Sequence, residues 1–196
     1  MSNRNTWVLL IQYGCSLGVE TTANNLATVC FTEKFGAPSA AALAVASIFG
    51  VMNLFARGLG GFLSYCCCAY EVMRGRLICH MICYILEGLT LIVFASFANL
   101  AGAVIALAMF SIFAQIAEGS TFDVVPNVNS KVTGSITGIV GLGGNVGGII
   151  FLFLLSQCSC RNDLESLDLS DNQLLFFLFI TCTVIIVLWN FFIARE

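Results

Sequence analysis

Charge is scarce in this sequence of 196 residues. Lys, Arg, Asp and Glu make up 10% of it, and His80 is its single histidine. Soluble domains average about 25% charged residues, so water is not this chain's main solvent. No clustered basic face exists, which excludes a nucleic-acid surface despite the small net charge of -3. With one histidine there is no Ser/His/Asp nucleophile arrangement, and neither a dinucleotide glycine fingerprint nor a phosphate loop occurs. No enzyme chemistry and no cofactor are therefore expected.

What fills the space is apolar. Hydrophobic residues reach 59%, with a mean hydropathy of +0.95, against about 45–50% in soluble domains. They run in blocks long enough to cross, as helix, a hydrocarbon core of about 30 Å. Buried backbone in lipid needs internal partners, so the spanning element is a helix or a closed barrel. Stretches such as residues 174–187 lack the strict alternation of a barrel strand. The fold class is all-α, a polytopic membrane protein.

Apolar runs between charge and turn punctuation predict six transmembrane helices, at residues 7–30, 39–64, 77–97, 100–124, 133–156 and 173–193. Residues 125–132 read as a loop with Pro126 as its breaker, and residues 157–172 as another. The segment from Trp7 onward reads as a retained span rather than a cleaved signal. Basic residues sort by side: Arg4, Arg74, Arg76, Lys131 and Arg195 lie on one, Lys34 and Arg161 on the other. The positive-inside rule makes the richer side cytoplasmic and places both termini in the cytosol. Six helices with both ends inside fit half of a larger carrier or a complete small channel.

Arg57 falls inside a span, where a guanidinium costs about 2.5–3.5 kcal/mol on insertion scales. It should face a cavity, an anion or a partner. The alternatives are snorkelling to the interface, or a structural ion pair with Glu20 or Glu87. Gly58, Gly60 and Gly61 beside it allow close approach of a backbone or a small ligand. A second glycine run, residues 134–148, contains the pairs Gly134/Gly138, Gly143/Gly147 and Gly144/Gly148, spacings that also serve plain helix packing. Asn145 within that run needs a partner for its amide, or donates to an anion.

The string Phe55-Ala56-Arg57-Gly58-Leu59-Gly60-Gly61 and the glycine-rich run at residues 137–147, with residues 13–20, 73–76 and 124–126, resemble the C-terminal half of the nitrate/nitrite porter family of the major facilitator superfamily. The resemblance covers residues 7–155. It implies that the whole chain, residues 1–196, is a single six-helix membrane domain matching helices seven to twelve of a twelve-helix carrier. It also implies substrate binding by Arg57, with Tyr13, Gly143, Gly144 and Asn145 beside it, and nitrate or nitrite as the ligand. A planar guanidinium suits a flat anion, since it can meet two of its oxygens at once.

The implied partners are that anion, membrane lipid and a second six-helix half, since such carriers hold substrate between two repeats. The implied location is the plasma membrane. One departure stands out: the family usually follows Gly-Gly-x-x-Ser with a gate aspartate, and here Tyr65 follows Ser64. Asp123, near the interface, is expected to be solvated.

Glu20 is the candidate for proton coupling, with a structural hydrogen bond or ion pair as the alternative. Glu87 and Glu118 share that ambiguity, and Glu118 reads as closer to a helix end. Cys66, Cys67 and Cys68 sit where palmitoylation occurs. No ordered ligand spacing joins Cys79, His80 and Cys83, so no metal is expected. Against a carrier half stands a second class of function, a membrane scaffold or regulatory half in which Arg57 only closes an ion pair.

Overall fold

A computed structural model describes residues 4–33, 38–67, 74–96, 99–128 and 131–161. They form five α-helices, α1 (Arg4–Glu33), α2 (Ser39–Cys67), α3 (Arg74–Ser96), α4 (Leu100–Val128) and α5 (Thr133–Arg161). The sixth expected span, residues 173–193, lies outside the described residues, as do Cys68 and Arg195.

Each helix outlasts the apolar run that predicts it. Apolarity marks the part of a helix that lipid must cover, whereas hydrogen bonding continues into the interface, so α3 begins at Arg74. The larger corrections are at α4 and α5. Helix α4 runs through Pro126 to Val128, although residues 125–132 read as a loop. The N–H that Pro126 lacks leaves one carbonyl, that of Phe122, without its helical donor, and this close to the helix end a single such loss does not stop the helix. Beside it, Asn127 Nδ2 donates to the Asp123 carbonyl at 2.9 Å and Arg76 Nη1 to the same oxygen at 3.2 Å. Helix α5 likewise continues to Arg161, into residues expected to form a loop. At the other ends, the carbonyls of Asn99 and Val132 accept the first helical N–H groups, from Ala103 at 2.9 Å and Ile136 at 3.1 Å.

Stretches long and apolar enough to cross a membrane are Arg74–Phe94, Leu100–Asn127 and Thr133–Leu154. Helix α1 is more polar because its inward face carries Gln12, Ser16 and Glu20, one turn apart and all buried. Its outer hydroxyls fold back: Thr21 Oγ1 donates to the Leu17 carbonyl at 2.7 Å and Thr28 Oγ1 to that of Asn24 at 3.2 Å. Outward positions along these stretches include the apolar Ile82, Leu89, Ile105, Met109, Ile149 and Phe153. An apolar exterior over these stretches is the pattern of an integral membrane protein.

Helix α4 is central, packing against the other four described helices. The most extensive contacts are α1 on α5 and α2 on α4, and both are glycine seams. A Cβ on Gly14 would lie 2.8 Å from the Gly143 carbonyl oxygen, one on Gly18 would lie 2.7 Å from Phe151 Cδ2, and one on Gly147 would run into the Gly14 carbonyl. Between α2 and α4, a Cβ on Gly60 would strike the Ile116 carbonyl and one on Gly119 that of Arg57. By contrast Gly58, Gly134, Gly138 and Gly141 meet nothing within 4 Å. The Gly134/Gly138 strip is thus no part of the packing among the described helices.

Candidate anion site

The α2·α4 seam delivers Arg57 to the polar part of α4. Because Gly119 has no side chain, the Arg57 backbone lies against it, and the guanidinium reaches the neighbouring Glu118 and, one turn earlier on α4, Gln115. Arg57 Nη2 pairs with Glu118 Oε2, and Arg57 Nε donates to Gln115 Oε1 at 3.2 Å. Gln115 Nε2 in turn donates to Glu20 Oε1 on α1. The amide is a relay: it accepts from the cation and donates to the carboxylate. Glu118 is fully buried, while one third of the Arg57 side chain stays exposed.

This geometry changes two expectations. The partner of Arg57 is Glu118, neither Glu20 nor Glu87. Reading Pro126 as the stop of α4 puts Glu118 near a helix end. With α4 running to Val128, Glu118 lies about three turns inside. Gln115 was missed altogether. Its signal was present, since Gln115 and Glu118 are three apart and share a helix face within an otherwise apolar span.

Glu20 Oε2 and Glu118 Oε1 are buried and have no hydrogen-bond partner. Glu87, on α3, is fully buried and accepts from Ser16 Oγ, which lies 3.0 Å from Oε1 and 3.1 Å from Oε2.

Tyr13 is buried and within electrostatic reach of Arg57, Glu118 and Glu20. Its ring packs edge-on against Phe122, with centroids 5.0 Å apart. Gly144 leaves room for that ring: a Cβ there would lie 2.5 Å from Tyr13 Cε1. Gly143 does the same for Leu10, whose Cγ would be 2.5 Å away. These two glycines are brought to the α1·α5 seam, not to the guanidinium. Asn145 stands apart from both, exposed, with Nδ2 donating to the Gly141 carbonyl of its own helix at 3.3 Å.

Toward one end of the bundle, Asp123 is not solvated as expected. Ser64 Oγ donates to its Oδ2 at 2.7 Å, and Arg76 Nε lies 3.4 Å from the same oxygen. This cluster ties α2, α3 and α4 together beside Tyr65. Further in, His80 Nδ1 bonds Ser120 Oγ at 2.8 Å and its ring packs on Tyr84, with centroids 4.7 Å apart. Among the described residues, no three His, Cys, Asp or Glu side chains converge as a metal site.

Comparison with known proteins places these residues in a transporter lineage. The chain is 37% identical over 155 residues to High affinity nitrate transporter 2.7 of Arabidopsis thaliana, an alignment covering 79% of this chain and 31% of that protein. It is 38% identical over 151 residues to Nitrate transporter 2.2 of Chlamydomonas reinhardtii, covering 76% and 29%. To the nitrate/nitrite transporter NrtP of a Picosynechococcus species it is 33% identical over 151 residues, covering 76% and 27%. The chain thus spans about a third of the length of the curated relatives it matches. No family model matches it. The relatives are transporters, not enzymes.

Proposed function

This chain belongs with the nitrate/nitrite porter family, and on that premise we propose that it is a six-helix half of a major facilitator carrier that moves nitrate or nitrite and holds the anion at Arg57. The observation that carries the reading is the placement of a single, partly exposed guanidinium on an α2·α4 seam in an apolar bundle. Its fork can meet two oxygens of a flat monoanion, whereas an ammonium offers a point charge. Tyr13 stands beside it, and Gly144 acts through Tyr13 by giving its ring room. Gly143 keeps α1 close at Leu10. On this reading the exposed face of α5, with Asn145, turns toward the anion's path, and Glu20 belongs to the proton-handling part of the site.

The carrier sits in the plasma membrane with both termini cytosolic, following the charge asymmetry of the loops. The second wall of the pathway comes from another six-helix half. The cluster of Ser64, Asp123 and Arg76 then lies at the cytosolic end, where it locks three helices.

The Arg57–Glu118 pair also supports a second reading, a scaffold or regulatory half in which that contact is purely structural. Arg57→Lys separates the two. In a chimeric carrier in which this chain replaces the matching segment of the Chlamydomonas transporter, the variant should reach the membrane at normal levels and lose most nitrate uptake. Normal uptake at normal expression would sink the anion reading and leave the structural one.

A further inference from the structure

We propose that Glu118 is the counterion that alternates with the transported anion on Arg57, giving up its place when it takes a proton. The inference rests on the reading of Arg57 as the anion's ligand and adds what must happen to the charge already there. In the structure the guanidinium is occupied, since Glu118 Oε2 sits on Nη2. An anion cannot take that position while Glu118 stays ionised, because two anions would then share one cation in a site where Glu118 is fully buried.

Charge counting fixes the exchange. Without the anion, Arg57 carries one positive charge and the Glu118 paired with it carries one negative charge. The two sum to zero. With nitrate in the place of Glu118, neutrality is kept only if Glu118 takes a proton. The balanced step is one anion in, one proton in, with Arg57 charged throughout. The proton comes from the solution that supplies the anion, and no bond other than to hydrogen forms or breaks.

The geometry singles out Glu118 rather than Glu20 as the group that yields its place. Glu118 touches the guanidinium directly, while Glu20 is reached through Gln115. Each carboxyl also has one buried oxygen free to receive the proton's bond, Glu118 Oε1 and Glu20 Oε2. The other ionisable groups facing the site are Tyr13 from α1, and Tyr84 and Glu87 from α3. Glu87 already accepts from Ser16, and Tyr84 Oη bonds Thr121 Oγ1 at 3.2 Å. His80 is engaged with Ser120. Within the described residues α5 brings no ionisable side chain to the cluster.

Two measurements test this. In the chimeric carrier in lipid nanodiscs, infrared difference spectra should show a protonated-carboxyl band that appears when nitrate is added and is missing in Glu118→Gln. A difference spectrum without that band, or one unchanged in Glu118→Gln, overturns the proton's place on Glu118. In proteoliposomes of the chimeric carrier, nitrate binding should take up one proton per anion from weakly buffered medium. Apparent affinity should then fall about tenfold per unit rise in pH. Glu118→Gln should bind nitrate with little pH dependence and no proton uptake. Proton-free binding by the unmutated chain, or an undiminished pH slope in Glu118→Gln, overturns the proposal while leaving Arg57 as anion ligand. Nitrate binding indifferent to Arg57→Lys overturns the anion reading itself.

Discussion

The α1·α5 and α2·α4 seams both bring backbones together on glycine, yet they deliver different things. Along α1·α5, Gly14, Gly18, Gly143 and Gly147 meet backbone and the apolar side chains of Leu10 and Phe151. Nothing charged enters. Along α2·α4, Gly60 and Gly119 perform the same close approach, but the carbonyl resting on Gly119 is that of Arg57. Closeness there places a guanidinium on a fully buried carboxylate. One spacing rule therefore serves packing in one seam and charge placement in the other, and only the residue beside the glycine tells them apart.

The largest effect should come from filling the dry seam. Gly147→Leu would drive a branched side chain into the Gly14 backbone. The helices would have to part, at a cost of about 3 kcal/mol or more. Gly138→Leu, in open space, should cost almost nothing among the described helices. Thermal stability in detergent compares them. Equal melting of the two variants would show that the α1·α5 contact carries no more stability than an exposed face.

Much of this was legible in the sequence. Five of the six predicted spans coincide with helices, because long apolar blocks without charge have few other solutions in lipid. Arg57 announced itself by its cost, and the Gly143/Gly147 pair by its spacing. What stayed hidden depended on where a helix ends and which side of it faces inward. Pro126 looked like a stop, and that error pushed Glu118 toward the interface. Asp123 looked solvated because Ser64 and Arg76 are far from it in sequence and close only across three packed helices. The glycine run of α5 gave no sign of which face would be covered. Gly143 and Gly147 are, while Gly134, Gly138 and Gly141 are not.

A smaller change should sharpen the charged seam. Gly119→Ala places one methyl group against the Arg57 carbonyl, costing about 1–3 kcal/mol and pushing α2 away from α4. The shift would separate Arg57 from Glu118 and Gln115. Nitrate uptake by the chimeric carrier should fall by more than it does in Gly147→Ala, which crowds the dry seam by a comparable amount. If both variants lose stability and uptake in the same proportion, glycine serves only packing in both seams, and the contrast between them disappears.

The smallest effect on stability is expected at Asn145, where the two seams have no say. The amide is exposed and bonds only its own helix, to the Gly141 carbonyl at 3.3 Å. That carbonyl keeps its backbone partner when the side chain is removed, since a helical C=O is already satisfied. Asn145→Ala should therefore shift stability by less than about 0.5 kcal/mol. Alanine also favours a helix over asparagine by a few tenths of a kcal/mol, so a slight gain is as consistent as a slight loss. Uptake is the informative readout. If the exposed face of α5 lines the anion's path, losing a polar donor there should weaken nitrate uptake at unchanged melting temperature. If the face meets lipid, an apolar side chain is at least as well accommodated and uptake should not fall. A drop in uptake without a drop in stability would place Asn145 on the path beside Arg57. Unchanged uptake would remove it from the site and leave the anion's contacts from this half to the α2·α4 seam and Tyr13.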